Sequence, residues 1–181
     1  MMRDNILTRR KFMAKSLHLA AGIVLSFPLE SIAMLTKQPI SFYHTHTGEH
    51  FKIDYSAKDY APSALNKLNY FLRDFRTEEV HSIDPTLLNI LYSVQQKSCS
   101  RGVIEIISGY RSPETNKLLN SKSSGVAKRS LHMKGRALDI RFTDLKTRDL
   151  RDVAISLQQG GVGYYPKSDF VHIDTGRFRT W

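Results

Sequence analysis

The chain predicts one small α+β domain with a central, mainly antiparallel sheet flanked by helices, and three observations carry that expectation. Its 181 residues suit a single domain large enough to bury a core. Its 41% apolar and 24% charged residues describe a chain that folds by burial, neither fibrous nor disordered. Strand-like and helix-like runs follow one another without strict alternation, which disfavours a doubly wound parallel sheet. A single cysteine, Cys99, has no internal disulfide partner and is read as a small buried or half-buried apolar residue.

The elements follow in order. Ser41 to Thr45 and Phe51 to Tyr55 are β-rich runs joined around Thr47-Gly48-Glu49, a hairpin. Its three histidines, His44, His46 and His50, are read as structural because no acidic residue except Glu49 completes a ligand set. Leu65, Leu68, Leu72 and Phe75, with Phe71 beside them, form a helical apolar stripe after Pro62-Ser63. Asp84-Pro85 caps and opens a second helix through Leu87, Leu88, Leu91 and Val94. Val103 to Ser108 is a strand that runs into the turn Gly109 to Pro113, a short helix over Glu114 to Leu119 and a Ser, Gly and Lys-rich loop over Ser121 to Ser130. Gly135 to Phe142 is a strand, and Leu145 to Leu157 a helix ended by Gly160-Gly161. Two short strands close the domain, Val162 to Tyr165 and Phe170 to Thr175.

The first 33 residues read as a targeting segment. Thr8-Arg9-Arg10-Lys11-Phe12 precedes an apolar stretch from Leu17 to Leu29 and resembles a twin-arginine (Tat) export signal. That stretch contains His18, Gly22 and Pro28 and is too short for a stable membrane anchor. Ser31-Ile32-Ala33 offers a cleavage site before Met34, so residues 1–33 are expected to be a signal peptide and 34–181 the working domain, delivered to the periplasm by the Tat machinery. The formal charge of the whole chain is +10, and 34–181 alone keeps 22 basic against 15 acidic residues, a net +7. That bias suits an anionic partner. Export, and the absence of a helix-turn-helix or stacking platform, argue against nucleic acid.

The chemistry concentrates in two segments. Strand alternation places Leu138, Ile140 and Phe142 on one face and Ala137, Asp139 and Arg141 on the other. In the later strand Val171 and Ile173 share a face, and Phe170, His172 and Asp174 take the opposite one. His132, on the loop before Gly135, can fold over to join them. Two imidazoles and one carboxylate suit zinc on the sheet face, and three protein ligands leave a fourth position for a hydrolytic water.

Ser130 to Asp139, read as S-x-H-x-x-G-x-A-x-D, followed by a late His-x-Asp, resembles the zinc D-alanyl-D-alanine peptidases and the wider lysostaphin-like superfamily. Ser108-Gly109-Tyr110-Arg111-Ser112 is similar to their substrate-arginine motif. Gly160 to Pro166 and Phe170 to Gly176 resemble the MepK-type murein endopeptidases, and the likeness covers essentially the whole of 34–181. The resemblance implies zinc ligands His132, Asp139 and His172, with Arg111 holding a substrate carboxylate or the developing oxyanion. Two acids compete as general base. Asp169 stands three residues before His172, where the carboxypeptidase relatives place theirs, whereas strand geometry favours Asp174. Tyr110, Ser130 and Tyr165 are candidate substrate contacts. The implied activity is hydrolysis of peptidoglycan stem-peptide cross-links, diaminopimelate-diaminopimelate (3-3) links in particular. The rival readings are a D,D-carboxypeptidase or D,D-endopeptidase with the same site, or a non-catalytic peptidoglycan-binding module.

Overall fold

The computed structural model describes residues 39–56, 60–123 and 125–181, so the expected signal segment lies outside the described residues. Strands β1 (Ile40–His44) and β2 (His50–Ile53) form the hairpin. Helices α1 (Pro62–Phe71) and α2 (Thr86–Ser98) lead to β3 (Ile104–Ser108) and α3 (Pro113–Lys122). A 3-10 turn (Leu131–Lys134) precedes β4 (Ala137–Phe142), followed by α4 (Thr147–Leu157), β5 (Gly161–Tyr165), β6 (Phe170–Asp174) and β7 (Arg179–Thr180). The strands form one sheet in the order β2-β1-β3-β4-β6-β5-β7. Pairing is antiparallel except at β1–β3 and β5–β7, so the expected α+β architecture holds. No helix among the described residues is long and apolar enough to cross a membrane.

One sheet face carries the core. Ile40 and Phe42 of β1, Ile104 and Ile106 of β3, Leu138 and Ile140 of β4, and Val171 and Ile173 of β6 pack in one cluster with Leu68 of α1, Leu87, Leu91 and Val94 of α2 and Leu150 of α4. These are alternate strand positions and helix positions three or four apart, so burying them fixes which face each strand offers to the groove. That constraint sets the orientation of Asp139 and His172.

The helix ends differ from expectation in informative ways. Helix α1 stops at Phe71, and the chain turns so that Phe75 leaves the stripe for the hairpin side, where it stacks on His46 with ring centroids 4.0 Å apart. Helix α4 ends on Gln158 and α2 on Cys99, both left-handed at φ 54°, so Cys99 is exposed at a helix terminus instead of packed inside. Gly135 is left-handed at φ 62°, and a Cβ there would sit 2.1 Å from the Ser82 carbonyl oxygen. This close approach lets the Asp84 N–H donate to the Gly135 carbonyl at 2.9 Å and ties the start of α2 to the turn bearing His132.

His44 is fully buried at the end of β1, edge-on to Phe71 and Phe75. Its Nδ1 accepts the N–H groups of His46 at 3.3 Å and Thr47 at 3.4 Å, holding the hairpin turn, whereas its buried Nε2 has no partner among the described residues. Burial and neighbouring His46 push its pKa down to about 4, although Glu49 pulls the other way. The unfolded chain therefore takes up a proton between pH 6.5 and about 4 that the folded domain resists. Stability is full above pH 6.5 and falls as pH drops through this window, by at most about 3 kcal/mol. Melting curves from pH 7 to pH 4 should show that slope, and His44→Asn, which keeps an acceptor for the turn, should flatten it.

Candidate metal centre and groove

Antiparallel pairing sets Asp139 of β4 directly opposite His172 of β6, on the face away from the core. His132 reaches them from the 3-10 turn, whose first backbone N–H groups are met by Ser130: its Oγ accepts the His132 N–H at 3.3 Å. All three side chains are buried. His132 Nε2 lies 3.2 Å from both Asp139 Oδ1 and His172 Nδ1, and His172 Nδ1 lies 2.8 Å from Asp139 Oδ1. The edges of a tetrahedral zinc site with N and O ligands are about 3.3 Å, so these donors are already gathered at nearly that spacing. Among the described residues they form the one group of three His, Cys, Asp or Glu side chains close enough to share an ion.

The back of each ligand is held. His132 Nδ1–H donates to the Gly109 carbonyl at 2.7 Å, which leaves Nε2 as the donor toward the cluster. His172 Nε2–H donates to Asp174 Oδ2 at 3.0 Å, which leaves Nδ1 in the same way. Arg111 bonds Asp139 Oδ2 and also donates Nε–H to Ser108 Oγ at 2.8 Å, so the carboxylate is oriented from outside. Burial drives the His132 pKa down against the pull of Asp139, which favours the neutral imidazole. Burial alone would raise Asp139, but His132, His172 and Arg111 hold it well below its ordinary value. Burial lowers the His172 pKa, and the hydrogen bonds its ring makes to the Asp139 and Asp174 carboxylates outweigh that, for a net rise. A divalent cation needs an ionised carboxylate and neutral imidazoles, so the shifts of Asp139 and His132 favour it and that of His172 opposes it.

Asp174 is fully buried behind His172. It accepts Gly161 N–H at 3.1 Å, Gly176 N–H at 2.7 Å and both Arg179 Nη groups at 3.0 and 2.6 Å. Burial raises its pKa, and these donors with His172 bring it far below normal. The segment that carries Arg179 lies over two glycines of β5. A Cβ on Gly161 would meet Arg179 and Asp174 at 2.4 and 2.5 Å, and one on Gly163, the partner of His172 across the strands, would meet Trp181 at 2.6 Å. Bare backbone at both positions lets Trp181 settle 5.3 Å from the His172 ring and donate its indole N–H to the Tyr165 hydroxyl at 2.8 Å.

A groove of about 570 Å³ crosses the sheet over this cluster. His46 after β1 and Ser108 on β3 lie on one side, and Tyr165 on β5 and Trp181 after β7 on the other, so the cluster on β4 and β6 sits in the middle. Arg111, Ser130 and Tyr165 all line it. Three expected residues are placed elsewhere. Tyr110 is buried against His81 and donates its hydroxyl to Glu79 at 2.7 Å, with burial and Glu79 raising its pKa to about 12. Asp169 sits in the β5–β6 turn at φ 51°, accepts the Thr147 hydroxyl at 2.8 Å and pairs with Arg141 at 3.5 Å, in a second hollow. Asp174 meets the far side of the His172 ring from the cluster, where it orients the imidazole, and it does not line the groove.

A family model described as peptidoglycan L,D-endopeptidase MepK matches residues 32–181. The peptidoglycan L,D-endopeptidase MepK of Escherichia coli K12 is 40% identical over 175 residues, 96% of each chain. The protein of that name from Shigella flexneri shows the same identity and coverage, and a probable peptidoglycan L,D-endopeptidase MepK from Haemophilus influenzae is 43% identical over 168 residues, 90% of each chain. No solved structure matches the chain. Sequence likeness over nearly the whole length, together with a three-donor centre in an open groove, makes this chain a member of the MepK family of peptidases.

Proposed function

We propose that the protein is a periplasmic zinc-dependent murein endopeptidase that cleaves peptide cross-links of peptidoglycan, 3-3 links between two diaminopimelate residues in particular. The observation that carries this reading is a three-donor cluster in the middle of a groove that continues on both sides of it. A carboxypeptidase needs room on one side of the scissile bond only, whereas a cross-link places a stem peptide on each side. The names of the relatives support the same substrate class.

His132 Nε2, Asp139 and His172 Nδ1 would hold the ion, which when bound supplies a Lewis acid and a water of lowered pKa. Arg111 keeps Asp139 in register from the groove side, and its guanidinium borders the space where a substrate carboxylate or oxyanion would lie. Asp174 and Arg179 fix the tautomer and plane of His172. Asp139 is the only carboxylate side chain among the described groove residues and is itself a ligand, so the proton-accepting role expected of Asp169 or Asp174 is not assigned to either. Residues 1–33 serve in this reading as a twin-arginine leader that exports the folded, metal-loaded domain.

The test is mass spectrometry of 3-3 and 4-3 cross-linked dimers after incubation with the zinc-loaded protein. Monomeric products from 3-3 dimers, with 4-3 dimers intact, are expected. Loss of only a terminal D-alanine would instead show a carboxypeptidase, and retained wall binding without any product a binding module.

A further inference from the structure

The charge of the groove is lopsided. Among the described residues Arg76, Arg111, Arg129 and Arg179 border it against the single acidic side chain of Asp139. Arg111 is engaged with Asp139 and Arg179 with Asp174. Arg76 is exposed, and no carboxylate among the described residues pairs with its guanidinium. Its position is nevertheless built. The buried Asp74 accepts the Arg76 N–H on one oxygen at 3.0 Å and the Ser112 N–H on the other at 2.8 Å, so one carboxylate clamps the segments that bear Arg76 and Arg111. The Arg76 guanidinium lies 4.1 Å over the Phe75 ring, which also stacks on His46. Arg73 reaches from the same turn to Glu49 at 2.9 Å and fixes the hairpin that carries His46.

We propose that Arg76, standing on a Phe75 ring that is itself stacked on His46, is a second anion subsite of the groove and binds a stem-peptide carboxylate remote from the scissile bond. The inference rests on the endopeptidase reading for its ligand. His46 follows β1, two strands from β4, so the subsite lies about 10 Å from the cluster, the reach of roughly three extended residues. A carboxylate bound there belongs to a neighbouring residue of the stem. It leaves Arg111 to act at the reaction centre. A planar guanidinium backed by an aromatic ring and without a carboxylate partner among the described residues needs no rearrangement to take a carboxylate in its fork.

The experiment uses the zinc-loaded protein and the disaccharide-tripeptide product, with the carboxylate of the residue next to its diaminopimelate free or amidated and the diaminopimelate carboxylates left free, and reads binding by calorimetry. The free acid should bind wild type about tenfold more tightly than the amide. Arg76→Gln should bring that ratio to within about twofold by weakening the acid alone, and Arg76→Lys should restore part of it. Arg148→Gln, which removes an exposed charge outside the groove, should leave the ratio as in wild type. A wild-type ratio retained in Arg76→Gln, or no wild-type preference for the acid, overturns the subsite. Hydrolysis of 3-3 dimers on the same samples separates the two claims. An Arg76-dependent ratio without hydrolysis removes the endopeptidase reading and keeps the subsite, whereas hydrolysis with an Arg76-independent ratio removes the subsite alone.

Discussion

His172→Ala, supplied with excess zinc, is expected to lose hydrolysis of cross-linked muropeptides by about a thousandfold or more while the domain remains folded. A bound ion is worth several kcal/mol of transition-state stabilisation, and each 1.4 kcal/mol or so is tenfold in rate. His172 supplies one of only three donors, all within 3.2 Å of one another, so two donors remain and the ion is no longer retained. The fold does not depend on it, because the β4–β6 pairing is backbone and the core lies on the opposite face of the sheet. Circular dichroism should match wild type. Zinc should raise the melting temperature of the wild-type protein, by about 3 kcal/mol of stabilisation at a hundredfold excess over its Kd, and should leave the variant unmoved. Asp139→Ala should behave alike toward zinc but cost more stability, since it also strips Arg111 and both imidazoles of their shared partner.

Asp174→Ala should give the largest loss of stability. Its two oxygens collect two backbone N–H groups, both guanidinium nitrogens of Arg179 and the His172 N–H, with no exposure to solvent. Removing one member of a buried charged network leaves the others unpaired, at about 3–5 kcal/mol. The β7 segment then keeps its backbone pairing to β5 but loses the Arg179 side-chain tie to β6, and His172 is free to turn. Zinc affinity should fall by about 10- to 100-fold, the usual effect of losing a partner behind a ligand. Asp174→Asn separates the two consequences. The amide fills the space and can still accept from His172, so stability should recover in part, but without the charge zinc binding should stay weaker than in wild type. Chelator competition measures the affinity and denaturant melts the stability. Full zinc affinity in Asp174→Ala would show that Asp174 does not position His172.

The core-facing strands made much of this site legible. Leu138, Ile140, Val171 and Ile173 each demand one face, and a period of two then sends Asp139 and His172 to the other. His132 was legible as a loop residue able to fold over toward the two strands, and its motif made it a ligand, but the exact place depends on a left-handed Gly135 pressed against the Ser82 carbonyl. The same alternation put Asp174 beside His172, yet gave no sign that Arg179 would cover it. That cover comes from a two-residue strand, too short to show a period. Asp169 matched a spacing, but its left-handed turn aims it at Thr147 and Arg141. Tyr110 follows the register shift at the end of β3, where the backbone bends to reach Leu72 and carries the ring into the core. Arg76 and Phe75 had no signal beyond a charge and an aromatic ring, since Phe75 fitted a helical stripe that the chain ends one turn early.

The most direct test of the metal centre is a titration of zinc into metal-free protein with release of monomer from 3-3 dimers followed by mass spectrometry. The site described here predicts no product before zinc is added, a rate that climbs in proportion to zinc up to one equivalent per chain, and a plateau beyond it. Product formed by the metal-free protein, or none at saturating zinc, would contradict a hydrolytic centre built from His132, Asp139 and His172.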